Sequence, residues 1–274
     1  MPPTQPSLSE DLLPFEDFIK ERQDQYDEAI QAVSDALEIQ LEDGENRSEK
    51  VSIITQQKFL DKKGREATQR KIVIGVAGPG AVGKGTLMSY LSTHGYATNI
   101  NVTTRPVRTN NGNPEQDGVE YFFKTSEQYR EENEQGLYLT VTPRPGRGDY
   151  AISKKALEDA VGSSQKGCLV EENPETLAKL VDALKKEDPE LHGIILYVLP
   201  PGVSTGREII EVIERLKKRS GSNFGRDDIE STCGKRQMDE LMSIASQIRR
   251  GIEVVFIEND DLDETKRRLD HLFL

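Results

Sequence analysis

The sequence is poor in the residues that build disulfide scaffolds, zinc sites and nucleic-acid interfaces. It has only three histidines and two cysteines, Cys168 and Cys233, which form no CxxC pair. This scarcity excludes a disulfide framework and argues against a Cys/His zinc site, so we expect two reduced thiols in a cytoplasmic protein. Lysines and arginines number 36 against 48 aspartates and glutamates. Because a basic surface is needed to neutralise a phosphodiester backbone, we predict no nucleic-acid partner.

Long apolar runs are also missing. No stretch approaches the roughly 20 apolar residues that an α-helix needs to span a bilayer. The first residues, MPPTQPSLSEDLLPFED, lack the basic start and apolar core of a signal peptide. These absences predict a cytoplasmic protein that does not associate with a membrane.

The acidic residues are concentrated at the amino-terminal end. Residues 1–50 carry 14 acidic against 4 basic side chains, whereas the rest of the chain is nearly balanced. Apolar residues recur at helical spacing from Phe15 to Leu41, which predicts an amphipathic helix, and a second, weaker helix is predicted from Val51 to about Leu60. We assign residues 1–70 to an acidic, mostly helical amino-terminal extension. Three alternatives stay open for it: packing on the rest of the chain, self-association, or docking of a basic protein.

From residue 71 onward, the sequence alternates between strand and helix patterns. The apolar run KIVIGV is followed by a glycine-rich turn and a helix from about Lys84 to Leu91. Three further apolar runs, GCLVEE, GIILYVL and EVVFIE, are separated by amphipathic helices, and a polar stretch with short strands covers about 98–150. Repeated β-α units of this kind predict an α/β fold with a parallel sheet and helices on both faces.

A phosphate-binding loop is predicted directly after the first strand, where the sequence reads GPGAVGKGT. Glycines in a G-x4-G-K pattern let backbone N–H groups turn toward phosphate oxygens, and the lysine reaches the β and γ phosphates of ATP. The residue after the lysine is Gly85, so the hydroxyl that usually approaches Mg²⁺ is displaced to Thr86. The predicted ATP-binding residues in the loop are Gly78, Gly80, Ala81, Val82, Gly83, Lys84, Gly85 and Thr86.

A second group of candidate phosphate ligands follows the loop. Arg105 and Arg108 stand three residues apart in TTRPVR, and Tyr121 lies a little further on. Arginine's planar fork suits phosphate oxygens, and a phenol can donate one more hydrogen bond. Taken alone, the pattern is also typical of polar surface residues.

In combination, these segments resemble the guanylate kinase family. The strand, the GKGT loop, the TTRxxR segment, the Gly-x-x-Tyr-x-Phe segment, GDYAISKKALEDAV and the late NDDLD motif appear in that family's order, over about residues 71–274. The resemblance implies a P-loop NTPase-type sheet with a small acceptor-binding subdomain at about 98–152 and a helical lid at about 204–236. It also implies transfer of a phosphoryl group from ATP, with Mg²⁺, to a nucleoside monophosphate such as GMP.

The resemblance implies roles for residues that match the family's motifs. Lys84 and the lid arginines Arg215, Arg219 and Arg236 would be catalytic. Arg105, Arg108, Tyr121 and Tyr150 fall where the family holds the acceptor's phosphate. Glu171 and Thr86 would lie near Mg²⁺, and Asn259 would lie beside adenine.

The positions that read the guanine base depart from the family pattern. Asn101 replaces a serine, Asn173 replaces an aspartate, and the stretch that should carry a glutamate offers only Thr140 nearby. About four extra residues, within NNGNPEQ, lengthen the acceptor loop. Two alternatives therefore stay open: a kinase of another phosphorylated acceptor, such as a different nucleotide or a sugar phosphate, and a non-catalytic interaction module. The intact Lys84 loop argues against the module.

Overall fold

The computed structural model describes residues 15–37, 47–56, 71–110, 113–144, 148–188, 190–220, 232 and 235–274. The helices are α1 (Phe15–Ala36), α2 (Arg47–Gln56), α3 (Lys84–Thr93), α4 (Ser126–Glu134), α5 (Lys154–Ser163), α6 (Pro174–Glu187), α7 (Glu208–Ser220), α8 (Lys235–Arg249) and α9 (Leu262–Phe273). The strands are β1 (Ile72–Ala77), β2 (Tyr96–Thr98), β3 (Val102–Thr103), β4 (Thr109–Asn110), β5 (Asn113–Pro114), β6 (Phe122–Phe123), β7 (Tyr138–Thr142), β8 (Tyr150–Ser153), β9 (Gly167–Glu171), β10 (His192–Leu199) and β11 (Val254–Glu258).

The main sheet has five parallel strands in the order β11-β10-β1-β9-β2. Every residue of the central strand β1 is buried. A strand covered on both faces needs a continuous apolar run, which is why KIVIGV and GIILYVL show no alternation with polar residues. The predicted α/β fold with a parallel sheet is therefore confirmed, and the predicted strand and helix positions agree with the observed ones to within a few residues.

A smaller sheet, in the order β6-β3-β8-β7, occupies the polar stretch in which short strands are predicted. The structure adds α4 to this stretch, a helix that apolar periodicity does not predict because Tyr129 is its one buried residue. Its start is determined by a capping box, in which the Thr125 side chain accepts from the Gln128 backbone and the Gln128 side chain accepts from the Thr125 backbone. The T-x-x-Q spacing was the available sequence signal.

The amino-terminal helix α1 packs on the rest of the chain. It contacts α8 above all, and also α2 and α7. Tyr26, Ala29, Ile30 and Val33 lie on its buried side and belong to the main hydrophobic core. Among the alternatives left open by the sequence, the structure thus shows packing within the chain. The division at residue 70 stays a prediction, since residues 57–70 lie outside the described ranges.

Two further features bear on the expectations from composition. None of the helices in the described ranges has the length and apolar character needed to cross a bilayer. Cys168 is a buried free thiol in β9, and burial raises its pKa to about 12. A thiol with so high a pKa stays protonated at neutral pH, and a protonated thiol is a poor nucleophile. Cys233 lies outside the described residues.

Candidate active site

The candidate site lies where the carboxyl ends of three parallel strands meet. β1 runs directly into the phosphate loop, and its Val76 is paired in register with Glu171, the last residue of β9. Asn259 follows β11. Because parallel strands end at one edge of a sheet, the loop, the carboxylate and the amide are brought together there.

The backbone of the phosphate loop requires glycine at two positions. Gly78 has a φ of 138° and Gly83 a φ of 95°, and a Cβ at either position would collide, with the Val198 carbonyl oxygen and the Asn259 side-chain amide respectively. The Asn259 Nδ2 donates to the carbonyl oxygen of Val82 at 2.8 Å. This bond ties the loop to the end of β11, so Asn259 has a structural partner in addition to its predicted place beside adenine.

The other residues predicted for the phosphate loop differ in backbone geometry and in exposure. Ala81 also has a positive φ, of 60°, which is uncommon for a residue with a side chain. Val82 is fully buried, and Gly80 lies beside Thr232. Gly85 and Thr86 are exposed on the first turn of α3.

Lys84 lies at the mouth of the loop. Its Nζ donates to the carbonyl oxygens of Gly78 at 3.0 Å and Pro79 at 2.9 Å, and it lies 3.5 Å from Oε1 of Glu171. The Glu171 side chain is 50% exposed, whereas that of Lys84 is 15% exposed. The structure therefore places a cation next to an accessible carboxylate. The catalytic role of Lys84 and the metal-binding role of Glu171 stay predictions.

Arg105 is buried in a cluster of protein contacts. Its guanidinium forms a bidentate ion pair with Glu115, at 2.6 and 2.8 Å, and Nη1 also donates to the Pro106 carbonyl oxygen. Its Nε donates to the Tyr150 hydroxyl at 3.1 Å. Four of its five N–H groups thus donate to protein acceptors. The hydrogen bonds with Glu115 raise the pKa of Arg105.

The two tyrosines predicted for the acceptor side lie together in front of Arg105. The Tyr121 ring lies 4.7 Å from the Arg105 guanidinium and meets the Tyr150 ring edge to face at 5.8 Å. Since the Tyr150 hydroxyl accepts from Arg105, its own proton is available to a group in the cleft. Burial raises the pKa of Tyr121, which keeps the Tyr121 phenol neutral. Arg108 is exposed, and its backbone N–H donates to Glu115.

The Arg105–Glu115 pair predicts a specific pH dependence of stability. Hydrogen bonds from Arg105 lower the pKa of Glu115 from 4.5 to about 2. A carboxyl whose pKa is lower in the folded state stabilises the fold fully above pH 4.5, and this contribution is lost as the pH falls toward 2. We expect Glu115→Gln to be less stable than the wild type at neutral pH and to lose less stability on acidification. Urea denaturation across this pH range measures both effects.

Glu158→Gln is the matched control, since Glu158 is exposed on α5. It should keep the pH profile of the wild type. An unchanged pH profile in Glu115→Gln would contradict the assignment of this contribution to the buried pair.

The three candidate base-reading residues have different surroundings. Asn101 donates from Nδ2 to the Glu171 carbonyl oxygen at 3.0 Å and accepts from Asn99. Asn173 caps α6 by accepting from the Thr176 backbone at 3.0 Å. Thr140 is buried, and its Oγ1 has no hydrogen-bond partner in the part of the chain that the structure describes. Both asparagine amides are therefore already engaged by the protein.

The predicted lid arginines are only partly described. Arg215, on α7, donates from Nη2 to the Asn259 carbonyl oxygen at 2.9 Å, so it contacts the end of β11. Arg219 and Arg236 belong to α7 and α8, but their side chains lie outside the described residues. Their roles stay predictions.

A cavity of about 240 Å³ joins the phosphate loop to the acceptor-side tyrosines. Its lining includes Lys84, Glu171, Tyr121, Tyr150, Arg144 and Glu172. Arg144 and Glu172 are not predicted from the sequence. They form an ion pair at 2.9 Å, and the Arg144 guanidinium lies 4.3 Å from the centre of the Tyr150 ring. Burial raises the pKa of Glu172.

Comparison with curated proteins returns guanylate kinases, while no family model matches the chain. The chain is 28% identical over 215 residues to guanylate kinase 1 of Arabidopsis thaliana, which covers 77% of this chain and 49% of that protein. It therefore spans about half the length of this relative. A guanylate kinase of Mycoplasmoides gallisepticum is 25% identical over 211 residues, covering 76% of this chain and 94% of the relative.

One further curated relative matches over a shorter stretch, and one solved structure is similar at low identity. A guanylate kinase of Streptococcus mutans is 37% identical over a shorter stretch of 75 residues, 26% of this chain and 34% of the relative. Among solved structures, the guanylate kinase of Anaplasma phagocytophilum is similar, with a TM-score of 0.46 and 17% identity over 74% of this chain and 84% of that one.

The three curated relatives above are all named as guanylate kinases, and two of these alignments extend over about three quarters of the chain. The residues of the phosphate loop, the strand that precedes it and the acceptor-side tyrosines lie together in the fold. Over about three quarters of its length, the chain is similar to guanylate kinases at 25–28% identity.

Proposed function

We propose that this protein transfers the γ-phosphoryl group of ATP to a nucleoside monophosphate, with GMP as an accepted substrate. The observation that supports the proposal most is that one and the same cavity is lined by Gly78, Lys84, Tyr121 and Tyr150. Phosphoryl transfer depends on in-line positioning and on positive charge at the transferring group. A donor loop and an acceptor surface that share one cavity support such positioning.

On the donor side, the loop and Lys84 would hold the phosphates of ATP. Mg²⁺ is usually bound by one or two carboxylates together with substrate phosphates. The accessible carboxylate of Glu171, 3.5 Å from Lys84, fits this requirement. Thr86, two residues after Lys84, is the hydroxyl proposed for the metal site. Mg²⁺ would neutralise phosphate charge there. Arg215, Arg219 and Arg236 remain the proposed lid residues.

On the acceptor side, we propose that the phosphate contacts Tyr121 and Tyr150. Arg105 would act mainly through Tyr150, because its hydrogen bond to the Tyr150 hydroxyl orients that phenol. The exposed Arg108 would approach as the acceptor binds. The partners proposed here are small nucleotides, and a cytoplasmic location stays a prediction.

We expect the site to discriminate weakly among bases while it still binds the phosphate. Thr140 and Asn173 supply a hydroxyl and an amide where the family has carboxylates, and Asn101 replaces a serine. Both asparagine amides already have protein partners. A neutral acceptor can still bind the guanine N–H groups, but it lacks the charge-assisted part of the bond. Two weakened contacts cost on the order of 1–3 kcal/mol, or about 10- to 150-fold in selectivity.

We therefore expect phosphorylation of GMP with a relaxed preference over dGMP, AMP and IMP. A coupled assay of ADP release, run as kcat/KM across this panel and a set of sugar phosphates, measures the preference. A preference for GMP above about 10⁴-fold would mean that another group reads guanine, because it far exceeds the relaxed selectivity expected when two contacts are weakened by about 1–3 kcal/mol. Turnover of a sugar phosphate alone would replace the nucleotide proposal. ATP binding without turnover of any acceptor would favour an interaction module.

A further inference from the structure

Among the described residues that line the acceptor side of the cavity, Arg144 is the cation. Arg105 and Arg108, the arginines predicted for the acceptor's phosphate, are absent from the lining of the 240 Å³ cavity. They are also absent from the lining of a second cavity of about 300 Å³. Arg144 lines both cavities. It therefore stands at the junction of the two, in the cavity that also contains Lys84.

The position of Arg144 is determined by two contacts. Its Nη2 donates to Oε2 of Glu172 at 2.9 Å, and its guanidinium lies over the Tyr150 ring at 4.3 Å. The Glu172 side chain is only 4% exposed, and the same Oε2 also accepts from the backbone and side chain of Asn173. A buried carboxylate held by three donors gives the arginine a rigid anchor.

Most of the side-chain donors of Arg144 have no acceptor in the part of the chain that the structure describes. Its side chain is 29% exposed, and among the described residues only its Nη2 has an acceptor, which leaves Nε and Nη1 without one. Arg105 is the opposite case, with four N–H groups engaged in the protein. A guanidinium anchored through one nitrogen can bind two phosphate oxygens through the others.

From this geometry we propose that Arg144 binds the phosphate of the nucleoside monophosphate, beside Tyr150. The inference rests on the proposed function, since it assigns a further residue to that acceptor site. Glu172 is a positioning residue that holds Arg144 over the Tyr150 ring. Because the contact is made to the phosphate, it should not depend on the base.

The test compares Arg144→Ala with Arg144→Lys and with the wild type. Losing a charge-assisted contact should raise the KM for each accepted monophosphate by about 10- to 100-fold, by a similar factor for every base, with the KM for ATP unchanged. Lysine should restore part of the effect, since it keeps the charge but lacks the planar fork. Inhibition by guanosine, which has no phosphate, should be unaffected. An unchanged acceptor KM, or an equal loss of guanosine affinity, overturns the inference.

Two control variants separate this role from a structural one. Arg130→Ala removes an exposed arginine on α4 whose ion pair with Glu134 spans 3.8 Å, and it should behave as the wild type does. Arg144→Ala leaves the Glu172 carboxylate unpaired, so the double variant Arg144→Ala/Glu172→Gln removes that orphaned charge. If the double variant still shows the raised KM, the lost cation is the cause. A return to the wild-type KM overturns the inference.

A direct measurement of GMP binding distinguishes failure of this inference from failure of the proposed function. If the wild type turns over no monophosphate, GMP binding is measured by calorimetry for the wild type and Arg144→Ala. Binding that weakens in the variant supports the phosphate contact although the transfer reaction is absent. Binding that is equal in both proteins, or undetectable in both, overturns the inference.

Discussion

Replacing Lys84 with alanine should lower kcat by at least about 10²-fold while the protein stays folded. The Lys84 ammonium lies at the mouth of the phosphate loop, where its hydrogen bonds are to the Gly78 and Pro79 carbonyl oxygens. Charge at the transferring phosphoryl group is the main catalytic contribution in this chemistry, and it grows in the transition state. Steady-state kinetics at saturating ATP and GMP measure the effect, with circular dichroism to check the fold.

Lys155→Ala is the matched control for this experiment. Lys155 is an exposed lysine on α5 that pairs with Asp159 one turn later, so its loss removes the same charge far from the loop's chemistry. It should leave kcat unchanged. A folded Lys84→Ala protein with wild-type turnover would contradict the assignment of the loop to ATP.

The second large effect is expected at the amino-terminal helix. Ile30 on α1 is almost completely buried and belongs to the main hydrophobic core. Ile30→Ala should lower the free energy of unfolding by about 2–5 kcal/mol, because it removes buried methyl and methylene groups and leaves a cavity. Urea denaturation measures this change. The result would show that α1 is an integral part of the fold, although it carries none of the proposed catalytic groups.

Glu28→Ala on the same helix is the control. Glu28 is exposed, and its replacement should change stability by no more than about 0.5 kcal/mol. If Ile30→Ala were as mild as Glu28→Ala, the packing of α1 on α8 would not hold in solution. Because α7 and α8 carry the proposed lid arginines, kcat of Ile30→Ala should be measured alongside its stability.

Local features of the chain were sufficient to predict the parallel sheet and the glycine-rich loop that follows β1. Apolar runs such as KIVIGV indicate strands buried on both faces, and the loop depends on backbone angles that glycine adopts at Gly78 and Gly83. The positions of Lys84 and Glu171 follow as well, since parallel strands end at one edge of their sheet. The polar helix α4 was missed because its signal is a capping box and not a periodic apolar face.

The ionic partners were decided by the tertiary structure alone. The sequence singles out Arg105 through the TTRPVR segment, whereas it gives no signal for Arg144. In the fold, Arg105 is buried against Glu115, whereas Arg144 is anchored by Glu172, 28 residues away, and keeps part of its fork open to the cavity. Such pairings depend on the paths of the loops and on which side chains are desolvated on folding. Neither property leaves a periodic pattern or a fixed spacing in the sequence.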